Sequence, residues 1–133
     1  MNTLVAYVKE IDNVDNLNIV KFDFNDTTLS MMSLGLNDSV RVGAKVKLST
    51  KPTHIAVAKD FSGEVSYSNQ LHVKILHVEN GKLLSSIKMQ IEDTVLESII
   101  TRDSSIRMNL HVGDNVTAFI KANELSIVEV LND

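Results

Sequence analysis

An internal repeat constrains the fold of this chain more than any other feature of its sequence. When the 133 residues are shifted by about 67 positions, identical residues recur in the same order in both halves. The pairs are Asn2 with Asn69, Leu4 with Leu71, Asn13 with Asn80, Leu17 with Leu84, Lys21 with Lys88, Asp26 with Asp93, Thr27 with Thr94 and Leu29 with Leu96. After a gap of about three residues, Val42-Gly43 pairs with Val112-Gly113, and Lys51 pairs with Lys121. We therefore predict two tandem units, residues 1–60 and 66–133, which are joined through KDFSGEVSYSNQ.

Each unit carries the alternating pattern that is typical of β-strands. In LHVKI, the apolar residues Leu71, Val73 and Ile75 alternate with polar ones, as in a strand with one buried face. The dipeptide Asn80-Gly81 is a strong hairpin signal. The segment 101–113 is typical of one or two helical turns, since its first residue, a threonine, is a good N-cap. These elements predict an all-β chain of two tandem OB-like five-stranded barrels, each with one short helix.

Composition limits the classes of function. The chain has no cysteine, so it contains neither disulfides nor thiolate metal sites. Its formal net charge of -4 disfavours a broad nucleic-acid footprint, and few aromatic residues are present for stacking on bases. No segment approaches the length of a membrane span, and the start lacks the pattern of a signal peptide. We therefore expect a soluble, cytoplasmic protein without a membrane partner.

Three short motifs follow one another in the second unit. They are the stretch Ser66–Leu71 (SYSNQL), the turn Ile100–Ser104 (ITRDS) and the strand end Ile120–Ala122 (IKA). In this order they resemble the molybdate-binding Mop domains of the transport-associated OB (TOBE) family. Members of that family carry Ser-Ala-Arg-Asn-Gln-Leu, Ile-Thr-x-x-Ser and Ile-Lys-Ala at these places. Since the first unit keeps the frame of the repeat, the whole chain resembles a tandem di-Mop protein.

The resemblance implies a bound molybdate or tungstate oxyanion and a homo-oligomer, with a trimer favoured and a dimer as the alternative. It also implies a site without directly ligated metal and without nucleic acid as a direct partner. The candidate oxyanion-binding residues of the second unit are Ser66, Tyr67, Ser68, Asn69, Thr101, Ser104, Lys121, Ala122 and Asn123. Those of the first unit are Ser33, Lys51 and Thr53. One position departs from the family pattern, because Ser68 stands in place of the arginine and removes a cation.

Physical chemistry supports an oxyanion site independently of the resemblance. Thr101 and Ser104 lie where a helix should begin, and the exposed amide groups of a helix N-terminus favour anions. Lys121 adds a full positive charge. A site built from donors alone favours fully deprotonated anions, because a monoprotonated phosphate would bring a hydrogen that finds no acceptor. We therefore expect the oxyanion to touch Thr101, Ser104, Lys121 and Ala122 of one copy, and the SYSNQ stretch of another.

Three functions remain open at this stage. The first is intracellular binding of molybdate or tungstate for storage or homeostasis. The second is a ligand-sensing module of a molybdate-responsive regulator that lacks its own DNA-binding domain, and the third is an OB-fold module that binds oligonucleotides. No nucleophile–base set and no P-loop are present, so we do not predict an enzyme. The histidines His54, His72, His77 and His111 have no partner at metal-ligand spacing, and we expect them to be surface or structural residues.

Overall fold

The computed structural model of the chain describes residues 2–131, most of which lie in β-strands. The strands are β1 (Asn2–Val14), β2 (Leu17–Phe24), β3 (Thr27–Leu34), β4 (Lys45–Thr50), β5 (Ile55–Ala58), β6 (Asn69–Asn80), β7 (Leu84–Ile91), β8 (Thr94–Thr101), β9 (Asn115–Ile120) and β10 (Ser126–Leu131). The helix α1 (Arg102–Arg107) follows β8, and 3-10 helices form at Pro52–His54 and Ala122–Glu124. Within residues 2–131, no helix is long and apolar enough to span a membrane.

The strands form two five-stranded antiparallel sheets that exchange their last strands. The first sheet has the order β10-β4-β1-β2-β3, and the second has the order β5-β9-β6-β7-β8. Each sheet therefore takes four strands from one unit and one edge strand from the other. The all-β, tandem-barrel fold class is confirmed. The units 1–60 and 66–133 stay a prediction about the repeat in sequence, because the ladders of the sheets cross that division.

The core lies on one face of each strand, as the alternation predicts. Every second residue at the start of β1 and of β6 is buried: Leu4, Ala6 and Val8 in β1, and Leu71, Val73 and Ile75 in β6. Each of these strands contains a bulge, between Val8 and Glu10 in β1 and between Ile75 and His77 in β6. After the bulge the strict alternation ends, because an extra residue on one strand shifts the faces.

Two repeat-equivalent asparagines join the two halves. The Asn2 Nδ2 donates to the backbone oxygen of Glu97 at 2.8 Å, and the Glu97 N–H donates to the Asn2 Oδ1 at 2.7 Å. Asn69 makes the same pair of bonds with the backbone of Ser30, at 2.9 and 2.6 Å. Because the donors and the acceptors are equivalent under the repeat, the two halves are related by a pseudo-twofold axis.

The α-helix expected before the fourth strand is present only in the second unit. In the first unit the equivalent segment runs from Leu34 to Val40, whereas in the second it runs from Thr101 to Leu110. The missing three residues amount to about one helical turn. The shorter segment forms turns instead, and the Asn37 Oδ1 accepts a hydrogen bond from the backbone N–H of Ser39 at 2.9 Å.

Candidate functional site

Two repeat-equivalent lysines each begin a short 3-10 turn. We name residues 51–54 the first lysine turn and residues 121–124 the second lysine turn. The backbone N–H of His54 donates to the oxygen of Lys51, and that of Glu124 donates to the oxygen of Lys121, each at 2.9 Å. Both lysines are exposed, and neither forms an ion pair within residues 2–131. The turns thus present two ammonium groups that are not neutralised by the rest of the described chain.

The strand exchange places each lysine turn against the opposite unit. The 3-10 helix after Lys121 packs against β3, which carries Ser33, and the one after Lys51 packs against β8, which ends at Thr101. The sequence interpretation grouped Lys121 with Thr101 and Ser104 of its own unit. Within one chain, each lysine turn instead lies against a strand of the other unit, since β5 and β10 have changed places. The grouping of the site residues stays a prediction.

An open groove, which we name the edge groove, separates β3 from β10, the two edge strands of the first sheet. Its volume is about 780 Å³, and it brings together the predicted residues Ser33 and Asn123. The groove is also lined by apolar residues of both edges, which are Met31, Met32, Leu34, Leu36, Val40, Leu125, Ile127, Val128 and Val130. In the second sheet, the two edges meet, because the buried Ser98 hydroxyl donates to the oxygen of Ile55 at 2.6 Å.

The N-terminus of α1 holds two of the predicted hydroxyl groups. The Thr101 Oγ1 accepts the backbone N–H of Ser104 at 3.1 Å, which confirms the predicted cap. The Thr101 hydroxyl donates to the Ser104 Oγ at 3.0 Å, and the Arg107 Nη2 donates to the same oxygen at 3.2 Å. Because the Ser104 Oγ accepts both bonds, its own hydrogen remains available to an external acceptor. Sequence reasoning missed Arg107, although it stands three residues after Ser104 on the helix.

The Asn69 amide has a structural role in this chain. Its side chain is fully buried, and its two N–H groups donate to the oxygens of Ser30 and Ile120 at 2.9 and 3.0 Å. Its Oδ1 accepts the N–H of Ser30. No hydrogen on this amide remains for an external ligand, so Asn69 joins the two halves instead of presenting a donor.

The rest of the SYSNQL stretch packs through an aromatic contact. The ring of Tyr67 stacks on Phe119 with the centroids 5.3 Å apart, and Phe61 contacts the same ring edge-on at 5.1 Å. The Gln70 Nε2 donates to the oxygen of Tyr67 at 3.1 Å. These contacts hold the segment against β9. They leave the two exposed serines, Ser66 and Ser68, as its hydroxyl donors toward solvent.

The two lysine turns also contact each other through a histidine and a carboxylate. The His54 Nε2 lies 3.4 Å from the Glu124 Oε2, and the two side chains are 37% and 27% exposed. The two residues are repeat-equivalent, since they stand 70 positions apart like Lys51 and Lys121. The pair therefore lies on the pseudo-twofold axis. The sequence analysis missed this pair because it searched for partners of His54 only at the short spacing of metal ligands. It did not search at the distance of 70 positions that separates equivalent residues of the repeat. Within residues 2–131, no three histidine, aspartate or glutamate side chains form a cluster that could hold a metal ion.

One buried polar atom has no partner near the first lysine turn. The hydroxyl of Thr50, which precedes Lys51, is buried and forms no hydrogen bond within the described residues. Its repeat-equivalent is Ile120, which is apolar. The first unit therefore carries an uncompensated hydroxyl at the end of β4.

Known proteins match both the second unit and the whole fold. The TOBE domain family matches residues 66–127. The structure of ModG, a cytoplasmic molybdate-binding protein solved with molybdate bound, matches with a TM-score of 0.88 at 19% sequence identity and covers 95% of this chain and 94% of that chain. A molybdate-binding protein from Sporomusa ovata matches 53% of this chain and 100% of that chain, with 34% identity and a TM-score of 0.46. No curated protein sequence matches the chain at a significant level.

The matches agree with the motifs of the second unit and with the tandem fold. The family match contains all three motifs, from SYSNQL to IKA. The match to ModG extends over nearly the whole length of both chains, so it includes both five-stranded sheets. The resemblance expected from the sequence is confirmed. Through residues 66–127, the chain belongs to the TOBE domain family.

Proposed function

We propose that the chain binds molybdate or tungstate as an intact oxyanion and stores or buffers it in the cytoplasm, without acting as an enzyme. The observation that carries this proposal is the fold, which over nearly the whole chain is that of ModG, a protein solved with molybdate bound. The donor groups described above supply the chemistry that such a ligand needs.

Two sets of donors follow from the strand exchange. The Ser33 hydroxyl and the Asn123 amide line the edge groove, and the exposed Lys121, two residues before Asn123, would add its ammonium group to them. The Ser33 hydroxyl donates to the oxygen of Gly35 at 3.0 Å, so an anion in the groove would compete with this bond. The carboxylate of Glu129, which also lines the groove, lies 3.4 Å from the Lys47 Nζ. The groove itself therefore offers neutral donors beside a carboxylate that is already paired, and Lys121 is the cation that we propose for the site.

The second set lies where β8 meets the first lysine turn. The turn that contains Thr53 packs against β8, and β8 ends at Thr101, whose hydroxyl is bonded to that of Ser104. Arg107 adds a guanidinium next to Ser104, and Lys51 would add an ammonium group to this set. Hydrogen bonds to a charged group contribute about 1.5–3 kcal/mol each. A dianion held by several of them would bind far more tightly than to a lone surface lysine.

We also propose that the chain assembles as a homo-oligomer, with a trimer favoured over a dimer. Large apolar side chains are exposed beside the edge groove, including Leu34 at 79% and Val128 at 52%. The anion sites would be closed between copies by the exposed Ser66 and Ser68. Tyr67 and Ala122, which stand within the family motifs, would take part in the same closure. Light scattering at micromolar protein concentration with molybdate present tests this proposal. A monomer under these conditions would contradict it.

Titration calorimetry with sodium molybdate, sodium tungstate and sodium sulfate tests the function. We expect heat of binding with molybdate or tungstate, and a weaker response with sulfate. Elemental analysis of protein purified under native conditions should find molybdenum or tungsten. Several anions retained per chain would support storage, whereas weak binding that is easily reversed would favour the sensing role. The absence of any heat with both molybdate and tungstate would refute the proposed function.

A further inference from the structure

We propose that His54 is a positioning residue for the anion site at Lys121, because it holds Glu124 away from that lysine. This inference rests on the proposed function and deepens it. It assigns a role to a pair that lies on the pseudo-twofold axis between the two lysine turns.

The geometry of the second lysine turn creates a competition. A turn closed by a hydrogen bond between residues three positions apart brings the Cα atoms of its two ends within about 7 Å of each other. Lys121 and Glu124 stand at this spacing, and the N–H of Glu124 donates to the oxygen of Lys121. Opposite charges so placed attract each other. Without another partner, the carboxylate of Glu124 would therefore neutralise the ammonium group that the anion needs.

In the structure the carboxylate takes a different partner. The Glu124 Oε2 lies 3.4 Å from the His54 Nε2. Lys121, in contrast, has no ion pair within the described residues 2–131. His54 can donate an N–H to the carboxylate in its neutral form, and it adds a positive charge when it is protonated.

The first lysine turn shows why the histidine comes from that side. Its four residues are Lys51, Pro52, Thr53 and His54, and none of them is acidic. His54 of the first turn can therefore donate to Glu124 of the second turn, and no carboxylate of the first turn competes for Lys51. Since the pair is less exposed than the surface ion pair between Lys9 and Asp23, water screens it less. The repeat has thus placed two different residues, a histidine and a glutamate, at equivalent positions where they complement each other.

A mutant cycle measured by molybdate titration calorimetry tests the inference. We expect His54→Gln to weaken molybdate binding about three- to fivefold, the range of a partly exposed polar contact. Glu124→Gln should leave the affinity at least as high as in the parent chain. The double variant should regain the affinity of Glu124→Gln, because no carboxylate remains to occupy Lys121. His54→Lys, which keeps a cation next to Glu124, should retain the parent affinity. His72→Gln, an exposed histidine on β6, is the matched control and should have no effect.

Each outcome decides between distinct explanations. If the parent chain binds molybdate and His54→Gln binds it equally well, the inference fails while the proposed function stands. If Glu124→Gln does not restore binding in the double variant, His54 has a purely structural role and the inference also fails. If the parent chain binds neither molybdate nor tungstate, both proposals are refuted. Should His54→Gln not fold, His54→Lys with reduced affinity would overturn the inference.

Discussion

Asn69 makes three hydrogen bonds with one side chain, and two of them cross from the second half of the molecule to Ser30 in the first. Asn69→Ala would leave these buried backbone groups without partners. We expect the free energy of unfolding to fall by about 2–4 kcal/mol. Asn2→Ala should lower the free energy of unfolding by less than Asn69→Ala does, because the Asn2 side chain makes two such bonds and that of Asn69 makes three. Urea denaturation measures both, and the exposed Asn16→Ala serves as control. Equal stability of Asn69→Ala and the parent would contradict this role.

The unpaired hydroxyl of Thr50 predicts a stabilising substitution. Thr50→Val keeps the shape of the side chain and removes a buried group that lacks a hydrogen-bond partner. We expect the free energy of unfolding to rise by about 1 kcal/mol. Thr50→Ser, which keeps the hydroxyl and loses a methyl group, should instead destabilise the protein. A loss of stability in Thr50→Val would show that the hydroxyl has a partner in solution.

Lys121 should be the main source of charge for the anion at the edge groove. We expect Lys121→Ala to weaken molybdate binding about ten- to a hundredfold, which corresponds to the loss of one charged hydrogen bond. Titration calorimetry gives the affinities, and Lys82→Ala in the exposed β6–β7 connection is a suitable control. An affinity that does not change in Lys121→Ala would remove this residue from the site.

Single residues of the site could be predicted from the sequence more readily than their roles. Thr101 was predicted as a helix cap because caps follow local rules, and its bond to the Ser104 N–H confirms this. Asn69 was predicted as an anion donor, yet its amide is consumed by backbone groups far away in sequence. Nothing in the local sequence separates a buried amide from an exposed one at the start of a strand, since both precede the same alternating pattern.

The strands themselves were predictable, whereas the pairing of β5 and β10 was not. Alternation identifies β6 and β7 without reference to the rest of the chain, because it depends on one buried face. Ladder hydrogen bonds connect backbone groups, which every residue carries. An edge strand can therefore form the same ladder with either of two equivalent sheets. The exchange decides which unit each lysine turn faces, and so the grouping of the site residues could not follow from sequence.

The turn that leads into β9 should make the free energy of unfolding depend on pH in the acid range. The Asp114 carboxylate accepts the backbone N–H of His111 at 2.9 Å and lies 3.2 Å from the Lys59 Nζ. The His111 N–H, aided by the Lys59 ammonium, holds the pKa of Asp114 below its usual range. The folded state thus favours the ionised carboxylate, and this stabilisation is present above the ordinary pKa of aspartate, about 3.9. It is lost as the pH falls through the lowered pKa of the folded state.

Asp114→Asn should therefore lower the urea midpoint at neutral pH. The difference from the parent should begin to shrink as the pH falls below about 4, where the Asp114 carboxylate of the unfolded parent takes up a proton, and it should disappear once the pH has passed the lowered pKa of the folded state. Denaturation series at several pH values measure this difference. Asp12→Asn, on the exposed part of β1, should show no comparable trend. A difference that stays constant down to the acid range would mean that the charge of Asp114 does not contribute.

At the scale of the whole molecule, the two halves should unfold together. Neither unit contains a complete five-stranded sheet, because each lends its last strand to the other. Loss of one sheet therefore removes an edge from the other. We expect one calorimetric transition, with a van't Hoff enthalpy equal to the measured enthalpy. Two well-separated transitions would show that the halves are independent despite the exchange.

The connection between β5 and β6 determines how the exchange of strands between the two halves depends on protein concentration. Residues 59–68 join the first half of the chain to the second, so both donated strands, β5 and β10, belong to the same molecule as the sheets that accept them. A short tether of this kind gives an effective concentration in the millimolar range. If the two halves were separate polypeptides, the same ladders would form only when the protein concentration approached their dissociation constant. Joining them in one chain makes strand donation a unimolecular step, so both sheets remain complete at concentrations at which separate halves would come apart.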